Sequence, residues 1–527
     1  MKKLKNFFFK TCPSSGRIVG LNMERLAVKV LFPLFGIAAL IWFLVRVIPK
    51  PSRISYPCQK VAAPVALSLI SYLAGYLGVA YFFRKTRHFL RARKYTVAFV
   101  SVFLGLIVLS FVLATNSLPG IAAGLLTSSG TEFYVPADKP NSPMGTGKGI
   151  FPGRVTWLRD TAATPFNGID GYWWEENGTR QEVVDRMFSK SLNALTGAAT
   201  NKKAWDKLFK HYNKTNGRGN RGFQKNELVA IKINCNNAYA GYEDADQQID
   251  ASKQTVLALL RQLILQAGIP QENIVIYEAV RVIPDRIFVP CHNEFPKIVW
   301  ADSKGDSING RIKARWHENV LSYSGVTKSG TGIPEVLYKA TYLVNMSLLK
   351  GHVSLGITLT AKNHYGSING RDHSRFDPGV YHPLVDIIGS KHVGQKTLLY
   401  IIDGLYGIRD VNDNVNREFA AWNNLFKGQW LSSIFMSQDP VAIDAVGYDF
   451  LRTEFGTRLG RGKGMPADTY MHEAALADNP PSGTEYKPNG VRLSSLGVHE
   501  HWNNAADKHY TRNLSPNGKG IELFRVE

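Results

Sequence analysis

The sequence predicts an α/β domain, a parallel or mixed sheet flanked by helices, preceded by three transmembrane helices. Three observations carry that prediction. Short continuous apolar runs alternate with helical patterns from residue 228 onward, as strands buried on both faces require. Three uncharged apolar stretches, each near the ~20 residues of a bilayer crossing, lie before residue 115. The formal charge of +21 is concentrated there as well: residues 1–126 hold 17 Lys/Arg against one acid, Glu24.

The N-terminal quarter comes first in the chain. Val30–Val45 is flanked by Lys29 and Arg46, whose charged ends can reach the interfaces while their stems stay in apolar surroundings. Val61–Phe83 carries no charge, and a third stretch runs from Tyr95 through Ala114. A membrane region over 1–114 with spans at about 26–48, 61–83 and 95–114 follows. Six Lys/Arg precede the first span and six more sit in RKTRHFLRARK, whereas the loop between spans one and two has only Lys50, Arg53 and Lys60. The positive-inside rule puts both rich segments in the cytoplasm. The expected location is therefore multi-pass in an inner membrane, N-terminus cytoplasmic and C-terminal domain periplasmic, with the lipid bilayer as a partner. A basic protein usually raises nucleic acid as a partner. Here the excess charge belongs to the membrane quarter, so no nucleic acid is expected.

Residues 115–150 are rich in Pro, Gly and Ser and read as a linker to an α/β domain over 151–455. LVAIKINC (228–235) reads as a strand. KQTVLALLRQLILQAG (253–268) is an amphipathic helix closed by Gly268, with Pro270 beyond. NIVIYEA (273–279), YLVNMSLL (342–349), TLLYIIDG (397–404) and SSIFMSQ (432–438) are further strands. The next helix, 439–455, has Asp439 as N-cap and Pro440 in its first position. Residues 456–527 form an extension packed on the domain, with one helix at 467–478.

Ligands in α/β sheets bind beyond the carboxyl ends of strands. Those ends deliver Lys232, Asn234 and Asn236, then Glu278, then Asn345, Lys350 and His352, and finally Asp403. Lysines and asparagines outnumber carboxylates, which suits an anionic or hydroxyl-rich small molecule. Lys232, Lys350 and Lys362 are expected to hold the anion, with Asn234 and Asn363 orienting it. His352 with Asp403 is the expected acid/base pair. Glu278, Asp439 and Asp444 complete the expected ligand-binding set, Asp439 because a helix N-terminus there is a generic anion site.

No GxxxxGK[ST], CxxC, HExxH or GxSxG occurs, which removes the common P-loop, cluster, zincin and serine-hydrolase readings. A cofactor is left unassigned. His352, His364, His373 and His382, with Glu278 or Asp403, make a weak metal signal, as does the single HxH at 499–501, read as a loop. Cys235 and Cys291 either pair or stand as separate thiols.

The runs VAIKINCN, YLVNMSLLKGHVSLGITLTAKNHYGSINGRD, IIDGLYG and SQDPVAIDAV resemble, in order across 229–449, the successive motifs of the DUF362 family. The matching positions are Lys232, Asn234, Lys350, His352, Lys362, Asn363, Asp403, Asp439 and Asp444. The resemblance implies the fold and the site more than a reaction. Some members are joined to iron–sulfur modules, which implies a redox connection for those; this chain lacks the cluster cysteines. The leading expectation is a membrane-anchored extracytoplasmic domain that binds and acts on an anionic or polyhydroxylated ligand. The alternative is a non-catalytic ligand-binding or assembly subunit of a membrane complex, with a redox partner.

Overall fold

The computed structural model describes residues 138–236, 241–243, 245–327, 330–370, 377–462 and 466–527, with scattered positions before residue 100. Two units are present, Met1–Thr131 and Glu132–Glu527. In the first, the described residues include two short antiparallel strands, Phe9–Thr11 and Ile18–Leu21. Among the described residues no helix is long and apolar enough to cross a membrane. The three expected spans fall almost wholly outside the described residues.

The second unit is a mixed sheet between two helical layers. Its main elements in chain order are β1 (Met144–Gly145), β2 (Arg154–Arg159), α1 (Gln181–Thr196), α2 (Asn201–Thr215), β3 (Val229–Lys232), α3 (Lys253–Arg261), β4 (Ile274–Glu278), α4 (Asp285–Glu294), β5 (Val299–Asp302) and β6 (Ile312–Lys313). There follow β7 (Tyr342–His352), β8 (Gly356–Thr358), α5 (Thr360–Asn363), α6 (Pro383–Gly389), β9 (Thr397–Ile408), β10 (Ser433–Ser437), α7 (Pro440–Phe455), α8 (Thr469–Ala475), β11 (Val498–His499) and β12 (Glu522–Val526). The sheet order is β12-β2-β10-β9-β7-β3-β4-β5-β6, with β8 folded back on β7. β9, β7, β3, β4, β5 and β6 are mutually parallel, and β10 runs against both its neighbours.

Alternate residues of the parallel strands feed opposite faces, as the two-residue period of a strand dictates. Val229, Ile231, Tyr342, Val344, Leu399 and Ile401 join the apolar layer under α1 to α4. Ala230, Leu343, Tyr400 and Ile402 join the layer under α6, α7 and α8. Both faces are covered, which is why these strands read as unbroken apolar runs. α3 is capped by the Ser252 hydroxyl and continues as a π-helical turn through Gln262–Gln266 before Gly268 turns left-handed at φ 73°.

The ends of the unit depart from expectation. The linker reading fails from residue 138 on, because β1 pairs with β11 and the Lys148 N–H bonds Asp439. The C-terminal extension supplies β12, a strand of the sheet itself, parallel to β2. His499, expected in a loop, lies on β11.

Candidate functional site

β3 and β4 stop together: Lys232 sits opposite Tyr277, one residue before Glu278. β7 is in register with β3 at Asn345 and continues past it to His352. A step in the sheet edge results, and a cavity of about 260 Å³ opens there. Its walls include Asn234, Asn236, Glu278, Arg281, His352 and Lys362. Asn363, Tyr365, Gly366 and Asn412 close it from the other sides.

Behind those walls runs a buried polar network. Lys232 Nζ, wholly buried, donates to Glu278 Oε2 at 2.7 Å, to Asn363 Oδ1 at 3.1 Å and to the Ile233 carbonyl. Asn234 Nδ2 donates to the same Asn363 oxygen at 2.9 Å, and Asn234 Oδ1 accepts from Lys350 Nζ at 2.7 Å. Asn363 Nδ2 in turn donates to Asn345 Oδ1 at 2.8 Å, and Asn345 Nδ2 lies 3.0 Å from His364 Nε2. Because that amide donates, His364 Nε2 accepts and its proton sits on Nδ1, facing Ser367 Oγ at 3.4 Å. Burial holds His364 neutral, pushing it down to about 3 with help from the Lys232 charge. Such a network is rigid because every member is another's partner.

Lys350 is strongly perturbed. Burial lowers its pKa to about 7 against the opposing pull of Asp250 and Glu278, and Lys232 adds to the lowering. Asp444 supports the opposite side from behind. Its carboxylate accepts from the Thr360 N–H at 2.8 Å, the Thr360 hydroxyl at 2.7 Å, the Ala361 N–H at 2.9 Å and Tyr470 at 2.8 Å. It therefore caps α5, the turn that presents Lys362 and Asn363, though burial raises it to about 6.

Lys232, Asn234, Glu278, Lys350, His352, Lys362 and Asn363 are thus brought together, with Lys232 and Lys350 behind the wall rather than in it. Asp403, Asp439 and Asp444 are not among the cavity-lining residues. Asp403 accepts the Ser252 N–H at 3.1 Å and the Ser252 hydroxyl at 2.7 Å, holding the start of α3. The expected His352–Asp403 pair is therefore not formed: Asp403 is spent on a helix cap. His352 instead uses Nδ1 to accept the Ser354 N–H at 3.0 Å. Asp439 caps α7, so its carboxylate fills the N-terminus that a ligand anion was expected to occupy. Arg281, Tyr365 and Asn412 were not anticipated; only Arg281, just past the end of β4, carried a signal of position.

Among the described residues, the expected histidine metal group does not assemble. His364 is locked to Asn345, His382 caps α6 through the Leu384 N–H, and His373 lies outside the described residues. Cys235 and Cys291 are both free and buried, their thiols pushed up by burial, so the two do not pair.

Gly366 lets the backbone close on the ion pair. A Cβ there would stand 2.5 Å from Glu278 Oε1 and 2.6 Å from Lys232 Nζ. Gly366→Ala is expected to displace that pair and cost about 1–3 kcal/mol, measured as a shift in urea midpoint. An unchanged midpoint would mean that the network is looser than described.

Residues 229–449 match the model of a family described as Domain of unknown function (DUF362). The match starts at the first residue of β3 and ends within α7, so it takes in every residue lining the cavity. No curated protein matches the sequence.

Proposed function

We propose that the C-terminal domain binds an anionic or polyhydroxylated small molecule in the cavity at the ends of β3, β4 and β7, and acts on it. The reading includes the anchoring of the N-terminal quarter in a membrane, with the domain on its outer side, as the Lys/Arg distribution argues. The observation that carries it is the convergence of Lys362, Arg281 and the amides of Asn234 and Asn363 on one small space, with the Lys350 ammonium directly behind Asn234. Among the described residues only one carboxylate, Glu278, lines that space, and Lys232 neutralises it. The cavity lies just under the ~300–1,000 Å³ of ordinary ligand sites, a size that suits one phosphorylated or sulfated sugar. His352 is the proton carrier of this reading, since it alone of the expected acid/base pair lines the cavity. The loss of Asp403 as its partner favours the second reading, binding without turnover.

Lys350 gives the reading a pH signature. A bound anion favours the ammonium form, so binding takes up a proton whenever the free site has lost it. Affinity should be flat below pH 7 and weaken above it, by up to about tenfold per pH unit, because the free-site pKa is about 7. Calorimetric titration with glucose 6-sulfate, whose charge is constant over this range, reads the effect. Lys350→Met should flatten it. An affinity that rises with pH contradicts the proposal. In the same assay His352→Ala separates the two readings: an enzyme retains affinity and loses turnover of a sugar phosphate, whereas a binding module never shows turnover.

A further inference from the structure

A second cluster of chemistry-bearing side chains lies outside the family segment, and nothing above uses it. Asp138, Asp468, His472 and His499 each offer one ligand atom, and these atoms all fall within 4.8 Å of one another. We propose that these four side chains bind one divalent transition-metal ion, with zinc as its natural representative, and that the ion holds the domain's ends together.

Three observations point to an ion rather than a hydrogen-bonded cluster. His499 is wholly buried, yet neither of its ring nitrogens has a hydrogen-bond partner among the described residues. Buried polar atoms are almost always satisfied, and an imidazole with both nitrogens idle is a ligand without its metal. His472 Nε2 lies 2.8 Å from Asp138 Oδ2 but without hydrogen-bond geometry. Two lone pairs converging on one cation give that combination of short distance and wrong angle. Asp468 occupies the N-cap position of α8, yet its side chain caps nothing. One turn further along the same helix stands His472, so a four-residue spacing puts both groups on one face.

The surroundings fit. His501 stands between two carboxylates, Nδ1 2.8 Å from Asp449 Oδ1 and Nε2 3.2 Å from Asp468 Oδ2, the second approach again without hydrogen-bond geometry, and so places a ring edge beside Asp468. Asp449 is itself held by the Trp502 N–H and the Tyr510 hydroxyl. Supporting contacts of this kind typically orient metal ligands. Two imidazoles and two carboxylates suit zinc among the common ions, and four protein ligands leave no open position, which marks a structural site. Ligand atoms of a tetrahedral zinc stand about 3.3 Å apart, so the cluster must tighten slightly. Asp138, a third exposed, is the member free to do so.

The ion would join three segments far apart in the chain: the entry to the domain at Asp138, helix α8, and strand β11. α8 also carries Tyr470, whose hydroxyl reaches Asp444 and through it the turn bearing Lys362 and Asn363. The metal thereby steadies one wall of the cavity from outside it.

The test uses the purified 527-residue chain, stripped with chelator and titrated with zinc chloride. Elemental analysis should give about one zinc per chain, and the melting temperature should rise by at least about 5 °C. His499→Gln and Asp468→Asn should each weaken zinc binding at least about 100-fold while circular dichroism stays unchanged. Should either variant fail to fold, cobalt added to the stripped parent must give the intense visible bands of a tetrahedral nitrogen/oxygen site. Zinc binding that survives both substitutions, an unchanged melting temperature, or an octahedral cobalt spectrum overturns the proposal. None of these readouts depends on the sugar ligand, so the two proposals stand or fall separately.

Discussion

Lys232→Met is expected to destabilise the domain by about 3–5 kcal/mol, because it strands a carboxylate in the interior. Lys232 is 0% exposed and Glu278 3%, with 2.7 Å between Nζ and Oε2. Remaining donors to Glu278 are weak: the Cys235 N–H at 3.4 Å and the Val280 N–H at 3.3 Å. Loss of the ammonium also leaves the Asn363 oxygen with only Asn234 as donor, which loosens one end of an amide whose Nδ2 stays bonded to Asn345 Oδ1 and the Met346 carbonyl. The pair itself is worth much less than the single substitution suggests, since both charges must be desolvated to form it. A double variant, Lys232→Met with Glu278→Leu, should therefore recover most of the loss in stability while still failing to bind the sugar sulfate. Urea denaturation of the four members of the cycle measures this. A single-variant cost under about 1 kcal/mol would show that the pair is solvated and the network not a rigid frame.

Asp439→Ala is the second large effect, at about 3–5 kcal/mol. One carboxylate serves four backbone donors: Val441 at 3.0 Å and Ala442 at 2.9 Å through Oδ1, Lys148 at 2.8 Å and Val498 at 3.2 Å through Oδ2. The first two start α7; the others bind the chain before β2 and strand β11 to it. Burial raises the group to about 7, opposed by those same donors, so the site holds its charge only because it is ringed by N–H groups. Asp439→Asn retains the Oδ1 acceptor and turns an amide toward Lys148 and Val498, so it should fall between parent and Ala. Thermal melts give the order. Equal losses for Asn and Ala would mean that the contacts to Lys148 and Val498 carry the whole effect.

The two cases show what the sequence could and could not disclose. That Asp439 caps a helix was readable, because Asp-Pro ahead of an apolar helical run has one common meaning. That Asp403 also serves a cap was not, because its helix begins at Ser252, far away in sequence, and an aspartate at a strand end looks the same in either role. The cavity itself was legible: parallel strands deliver their next residues to one edge, so Lys232, Asn234, Glu278 and His352 had to lie near one another. Their depth was not legible, since the position of Lys350 behind Asn234 depends on how far β7 overruns β3. Most hidden was the His/Asp cluster, whose members come from both ends of the domain and meet only because β1 pairs with β11. The expected spans of the N-terminal quarter rest on hydropathy and charge alone.

A crystal of the chain soaked in tungstate tests the central claim most directly, because anomalous scattering locates the anion without reference to any assumed substrate. The account predicts the strongest peak inside the cavity, within hydrogen-bonding reach of Lys362 and the amides of Asn234 or Asn363, and its disappearance in Lys362→Ala. Ordered tungstate confined to other parts of the domain, with the cavity occupied only by water, would contradict it.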